Sequence, residues 1–477
     1  MQSALQSIAI CGNGLAANMV VAALARTLDP RIKLLHLNAS DDANGDLLYG
    51  HVTAPTAYSF LQSIGVDEPT LYGKTRSSFG FGTQYKTWSQ ANEWVQAYHL
   101  PFPLIEGIPL QHFLTRRSRG LGALLISAEA ALAGRFAHPP EDPKSPLSRA
   151  EYGYQFSPAE WTACLLNARP EGRVQTLSGT ISDVISDDAG RHRVRMHSGD
   201  VVEADLLIDC TGLSRRLISV QGTFERRYDC QVTLQRRNDN ALGAPLRIVE
   251  GHANGWTATV NLQGAMERLS VGAPEDMGAE SQHSVVATVG RVREAWIGNV
   301  VAIGHSAHVL EPLTPAPMML LQRDIERLLE LIPVSADTSA ERREYNRRFN
   351  DDAEHAELFH NAVMIGSRYE EGTYWSDARR HALSPKLDRK IQQFEGRGLL
   401  AKYDLEPFND EDWTILHFGV GRMPKRYDRQ IDHLSDVEID QKLNGLAQAV
   451  QATVTRMPPH QLYVEKMKRY FEKQGYV

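Results

Sequence analysis

The chain opens on a short apolar run, SIAIC at residues 7–11. GNGLAAN follows, and then MVVAALARTL, whose apolar positions recur at helical spacing. KLLHLN supplies a second apolar strand, with Pro30 marking the turn before it. Strand, glycine turn, helix and strand in that order predict a βαβ unit of a parallel sheet. Residues 77–98 alternate aromatic with small or polar positions (SFGFGTQYKTW), which predicts antiparallel strand. The proline-rich stretch 138–150 reads as exposed loop, and 158–169 as a short helix. Strands are predicted over 173–209, ending in the apolar ADLLIDCTG, and again over 225–273. VVAIGHSAHVLEP at 300–312 predicts a buried strand leaving into a loop. MMLLQRDIERLLELIP predicts an amphipathic helix that stops at Pro333. From about residue 340 the pattern is helical. The expected fold class is α/β with interleaved antiparallel sheet and a helical C-terminal part, divided as 1–335 and 336–477.

Composition narrows this picture. The 477 residues carry a formal charge of -7, with 42% hydrophobic and 23% charged residues, as in a globular protein with a large core. Mild acidity argues against a nucleic-acid partner. No apolar run approaches the roughly 20 residues that span a bilayer. The first residues lack the basic start and cleavage site of a signal peptide, so a cytoplasmic chain without membrane association is expected. Cys11, Cys164, Cys210 and Cys230 are widely spaced and read as buried core thiols. No cluster with metal-ligand spacing appears; His355 and His360 are five residues apart on a predicted helix, a poor spacing for one ion. No GxSxG elbow appears.

The segment Gly12-Asn13-Gly14-Leu15-Ala16-Ala17 carries the clearest chemistry. Gly12 permits the tight turn, Gly14 admits a pyrophosphate to the backbone, and Ala17 allows close helix–strand packing. The helix N-terminus then offers N–H donors and positive dipole to phosphates. Such a turn, at the N-terminus of a βαβ unit, points to an ADP-containing cofactor; the alternative is a glycine-rich turn that binds nothing. The second strand should end in Asp or Glu to hold the ribose. Here it ends in Asn38, which lacks the charge, with Asp41 and Asp42 close by as substitutes.

Several segments together resemble the flavin-dependent tryptophan halogenases. They are the glycine turn, GHVTAP at 50–55, YGYQFSPAEWTACLLNAR at 152–169 and DLLIDCTGLSRRLI at 205–218. VVAIGHSAHVLEPL at 300–313, YNRRF, FGVGRMPKRYD and MPPHQLYVEKM also match, so the resemblance covers nearly the whole chain. It implies a Rossmann-like, glutathione-reductase-type FAD-binding fold capped by C-terminal helices. FAD, reduced by a separate flavin reductase, is the implied cofactor. Gly12, Gly14, Ala17, Asn38, Gly50, His51, Thr53, Gly304, His305 and Leu313 are the implied cofactor-binding residues. A small aromatic or carrier-bound substrate is implied against Trp256, Tyr374 and Trp375. A homodimer is left open.

The departures from the family pattern are as informative as the matches. Aligned back from Trp88, the family's catalytic Lys falls on Gly80; a shifted alignment would offer Lys74 instead. The Glu of EPLESTG is Thr314, and the halide corner is Pro315-Ala316-Pro317, where proline removes backbone N–H donors. The WxWxIP signature keeps only Trp256. The flavin fingerprint GD reads Gly304-His305. Two readings follow. One is a monooxygenase-type, FAD-dependent oxidoreductase acting on an aromatic, indole-like substrate without halogenating it. The other is a degenerate relative that binds flavin weakly or not at all and serves as a non-catalytic partner protein.

Overall fold

A computed structural model describes residues 5–39, 44–91, 93–187, 191–278, 283–335, 337–380 and 382–476. Asp41 and Asp42 lie outside the described residues. Strand β1 (Ser7–Cys11) sits inside a six-stranded sheet. Its parallel neighbours are Leu206–Asp209 on one side and β2 (Lys33–Asn38) on the other. Gln175–Ser178 and Val300–Ala302 extend the parallel part, and Trp296–Ile297 closes one edge antiparallel. Strands covered on both faces need apolar residues at every position, which is why SIAIC and LLID show no alternation. Helix α1 (Leu15–Thr27) buries eleven consecutive residues, Leu15 to Ala25, packing against the helices Pro158–Asn167 and Ala316–Glu330.

The second layer is an eight-stranded sheet. Its order runs His308–Val309, Ser284–Val292, Phe224–Asn238, Ala265–Gly272, Gly255–Leu262, Arg247–His252, Gly82–Lys86 and Trp94–Ala97. One junction differs from the antiparallel expectation: Gly82–Lys86 runs parallel to Arg247–His252. Those two strands are far apart in sequence, so the connection can return to the same end of the sheet, which a tight hairpin cannot do. Ser78–Gly80 pairs separately with Gly153–Gln155. Past Val309 the described elements are helices, among them the 27-residue Ser339–Ile365. Their side chains enter both large cores, Ile439 and Leu443 in one, Phe359 and Trp413 in the other.

All four cysteines are buried free thiols, as the sequence predicts. The carboxylate of Asp209, at the end of its strand, is fully buried and staples the following loop. It accepts from the Thr211 N–H and hydroxyl, from Ser306 Oγ, and from the Leu217 and Ile218 N–H groups. The apolar DLLIDCTG run therefore ends in a structural carboxylate that holds residues 211–218 against Gly304–Ser306.

Candidate functional site: a closed crevice and an open cavity

The glycine turn has the expected backbone. Gly12 adopts φ +134, and any Cβ there would overlap the Cys210 carbonyl, so only glycine fits. Ala17 is fully buried against the sheet. The turn is braced by Asn18, whose Nδ2 donates to the Asn13 and Gly14 carbonyls. His36 Nε2 lies 2.8 Å from the Gly12 carbonyl, so that nitrogen carries the proton. Arg169 then donates to His36 Nδ1 and to Asn18 Oδ1. Asn38 is half-buried at the end of β2, and its carbonyl accepts from the Gly179 N–H.

The crevice in front of this turn is filled by the chain itself. Asp46 Oδ2 accepts from the Leu15 N–H at 2.8 Å, on the N-terminus of α1. A Cβ on Gly14 would stand 2.7 Å from Asp46 Oδ1. Tyr49 stacks on His305 with ring centroids 3.8 Å apart and planes 18° off parallel. Its hydroxyl accepts from the His305 N–H at 3.3 Å and takes the space beside Gly304, which lies at φ +64. Burial, with His308 close by, holds the His305 imidazole neutral, its pKa pushed down to about 3. The hollow left between these groups measures about 20 Å³, enough for a water.

The rest of the implied flavin loop is equally closed. Gly50, at φ +69, packs on Pro312: a Cβ there would stand 2.6 Å from the proline Cβ. His51 faces Glu267 at 3.2 Å, both 1% exposed. Burial lowers the His51 pKa to about 3 and raises that of Glu267 to about 7, the latter opposed by Arg236, whose Nε stands 3.0 Å from Glu267 Oε1. Thr53 Oγ1 accepts from the Tyr154 N–H, and the Thr53 carbonyl from Tyr98 Oη. The Leu313 carbonyl accepts from Tyr85 Oη and from Arg247.

A second hollow lies beside Thr314. It measures about 160 Å³, comparable to the roughly 150 Å³ cavity that takes benzene. Tyr85, Tyr98, Phe359 and Phe408 give it aromatic walls; Phe359 and Phe408 stack with centroids 3.8 Å apart. Its polar lining includes Gln96, Glu151 and Asp412, with no Lys or Arg. Burial raises the Asp412 pKa to about 7, with Glu151 and Glu411 adding to the effect. Burial raises that of Glu151 as well. Gln96 Oε1 is buried without a hydrogen-bond partner. Behind Thr83 the guanidinium of Arg247, 1% exposed, is engaged by Thr83 Oγ1 and the carbonyls of Pro312 and Leu313.

The three residues expected to meet an aromatic substrate are not in this cavity. Trp256 Nε1 donates to Glu311 Oε2 at 3.1 Å and to Tyr374 Oη at 2.7 Å, and Tyr374 donates to the same carboxylate at 2.6 Å. Trp375 donates to the His252 carbonyl and lies edge-on to Trp88. All three are at most 1% exposed. Tyr374 also lines a separate hollow together with Arg227, Tyr228 and Asp377. Burial lifts the Glu311 carboxyl to about 7. Gly80 also lies apart from the cavity, paired with Gly153, and a Cβ there would touch Gln155 Cγ at 3.5 Å. Lys74 is exposed at the end of the helix Glu68–Lys74. Among the described residues no three His, Cys, Asp or Glu side chains converge as a metal site.

The tryptophan halogenase family model matches residues 7–436. The chain belongs to the tryptophan halogenase family. It is 23% identical over 447 residues to the tryptophan 6-halogenase SttH of Streptomyces toxytricini, covering 81% of this chain and 83% of that one. Among solved structures it resembles BrvH, a flavin-dependent halogenase from Brevundimonas sp. BAL3, with TM-score 0.88, 22% identity and 97% and 99% of the two chains covered. It also resembles Xcc4156, a flavin-dependent halogenase from Xanthomonas campestris, with TM-score 0.87, 22% identity and coverage of 98% and 99%. The fold is the FAD-binding Rossmann-like one predicted from the sequence. This family uses reduced FAD supplied by a separate flavin reductase and acts with an aromatic substrate. No helix among the described residues is long and apolar enough to cross a membrane.

In the arrangement described, Asp46, Tyr49 and His305 occupy the space in front of the glycine turn where this family's cofactor would lie. The hollow left at the turn, about 20 Å³, has room for a water. A carboxylate already stands on the helix N-terminus that a pyrophosphate would use. Asp46, Tyr49, Arg247 and Phe408 were not foreseen from the sequence. Only the GDLLYG segment itself, with an acid and a tyrosine ahead of the GHVTAP loop, offered a signal.

Proposed function

We propose that this chain is a non-halogenating member of the tryptophan halogenase family that binds a small aromatic amine and serves as a non-catalytic partner protein. One observation carries the reading: the family's catalytic Glu position, Thr314, lines a cavity that keeps aromatic walls and hydrogen-bond acceptors without a cation in its lining. Gly80 supplies no Lys, and Pro315 and Pro317 supply no N–H for halide. Carboxylates whose pKa values are raised by burial gain from a protonated amine brought beside them. The aromatic walls take the ring.

Calorimetric titration with tryptamine and with indole-3-acetate tests this. Tryptamine binds at least about tenfold more tightly, a difference of roughly 1.4 kcal/mol. Its binding strengthens as pH rises past the Asp412 pKa, which burial pushes up to about 7. Equal affinities, or tighter binding of the acid, refute the reading. A second reading is flavin-dependent oxidation of the same aromatic, with reduced FAD from a partner reductase. The intact Gly12–Ala17 backbone favours it. It requires the side chains in front of α1 to leave their places. Incubation with a flavin reductase, FAD, oxygen and tryptamine, with and without bromide, separates the two. An oxygenated product supports the second reading, and a brominated one rejects the non-halogenating character of both.

A further inference from the structure

We infer that the segment Asn44–Gly50 is a built-in plug that imitates a dinucleotide and keeps flavin out. Two glycines in the crevice are bare where a cofactor would pass, and each faces an atom of this segment. At Gly14 the neighbour is the Asp46 carboxylate. At Gly304 it is the Tyr49 hydroxyl. The carboxylate takes the phosphate's role on α1, accepting the Leu15 N–H at 2.8 Å in the field of the helix N-terminus. The phenol ring takes a flat group's role, stacked on His305.

The plug is held at both ends. Asn44 Nδ2 donates to the Ser284 carbonyl at 3.0 Å, and the 3₁₀ turn Gly45–Tyr49 closes on Gly50, itself wedged on Pro312. A pyrophosphate entering the crevice meets the Asp46 charge and competes for the same N–H group. Steric and electrostatic exclusion therefore act at the same point, and His305, where the flavin fingerprint has Asp, completes the filling from the other side. This inference is independent of the aromatic cavity, which lies around Thr314 and shares no lining residue with the crevice.

The test is a titration of oxidised FAD followed by its fluorescence, on the full chain and on Asp46→Ala/Tyr49→Ala. The wild-type chain leaves FAD fluorescence unchanged into the millimolar range, and the double variant gains affinity by about tenfold or more. Asp46→Ala alone, which removes only the carboxylate, moves in the same direction by less. As a flavin-free readout, inorganic pyrophosphate raises the melting temperature of Asp46→Ala and not that of the wild-type chain. Micromolar FAD binding by the wild-type chain overturns the proposal, as does a folded double variant that binds no better than wild type. Should the double variant fail to fold, the single variant and the wild-type titration decide alone. Tryptamine binding measured on the same preparations reports the Thr314 cavity separately, so loss of one conclusion leaves the other standing.

Discussion

In front of α1, a crevice of about 20 Å³ is packed with Asp46, Tyr49 and His305, whereas beside Thr314 a cavity of about 160 Å³ keeps open space between aromatic rings. Both belong to one fold, and the same family uses such a fold for a cofactor and an aromatic substrate. The contrast shows that the two hollows are set by different groups of side chains. Closing the first takes one short turn, Gly45–Tyr49, and a histidine in the turn Gly304–Ser306 that follows the strand Val300–Ala302. Keeping the second takes Tyr85 and Tyr98 from the sheet side facing a stacked Phe359–Phe408 pair from the helical side.

The largest test of this contrast is Asp209→Ala, at the rigid floor of the crevice. It leaves buried donors at Thr211, Leu217, Ile218 and Ser306 without their acceptor. Urea denaturation should show a loss of about 4 kcal/mol. A loss below about 1 kcal/mol would mean that the crevice is loosely held and that its closure is incidental.

Phe408→Ala probes the other hollow. Its ring stacks on Phe359 and is 6% exposed, so truncation should cost about 3 kcal/mol. Tryptamine affinity should fall at least about tenfold, while FAD fluorescence stays unchanged. Unaltered tryptamine binding would place the ligand elsewhere.

Glu311 leads into the loop that reaches Thr314, and its carboxyl is raised from 4.5 to about 7. Below pH 4.5 the folded and unfolded chains both hold the proton. Between 4.5 and 7 the unfolded chain releases it first, so stability falls as pH rises, and the loss is complete above 7. Glu311→Gln should remove a drop on the order of 2 kcal/mol from the pH 5 to pH 8 difference in unfolding free energy. Identical pH profiles would show that this carboxylate is ionised in the fold.

The smallest effect is expected for Asp46→Asn. It keeps an acceptor on the Leu15 N–H but removes the charge from the helix terminus, at a cost below about 1 kcal/mol in thermal unfolding. A cost of several kcal/mol would make Asp46 a structural cap first and a barrier to phosphate second.

The parallel sheet, α1 and the Gly12–Ala17 turn were legible in the sequence. Their signals are local: apolar runs of strand length, helical spacing and a glycine that no other residue can replace. The order of family-like segments from 7 to 436 was legible for the same reason. What fills a hollow is not a local property. Asp46 reaches α1 from 31 residues away, and Tyr49 meets His305 across 256. Trp256 and Tyr374 converge on Glu311 from distant parts of the chain because its buried carboxylate offers their N–H and O–H groups an acceptor. Sequence alone thus determined which backbone this chain adopts. Only the packing of distant side chains, where excluded volume and unsatisfied charge decide, left one hollow shut and the other open.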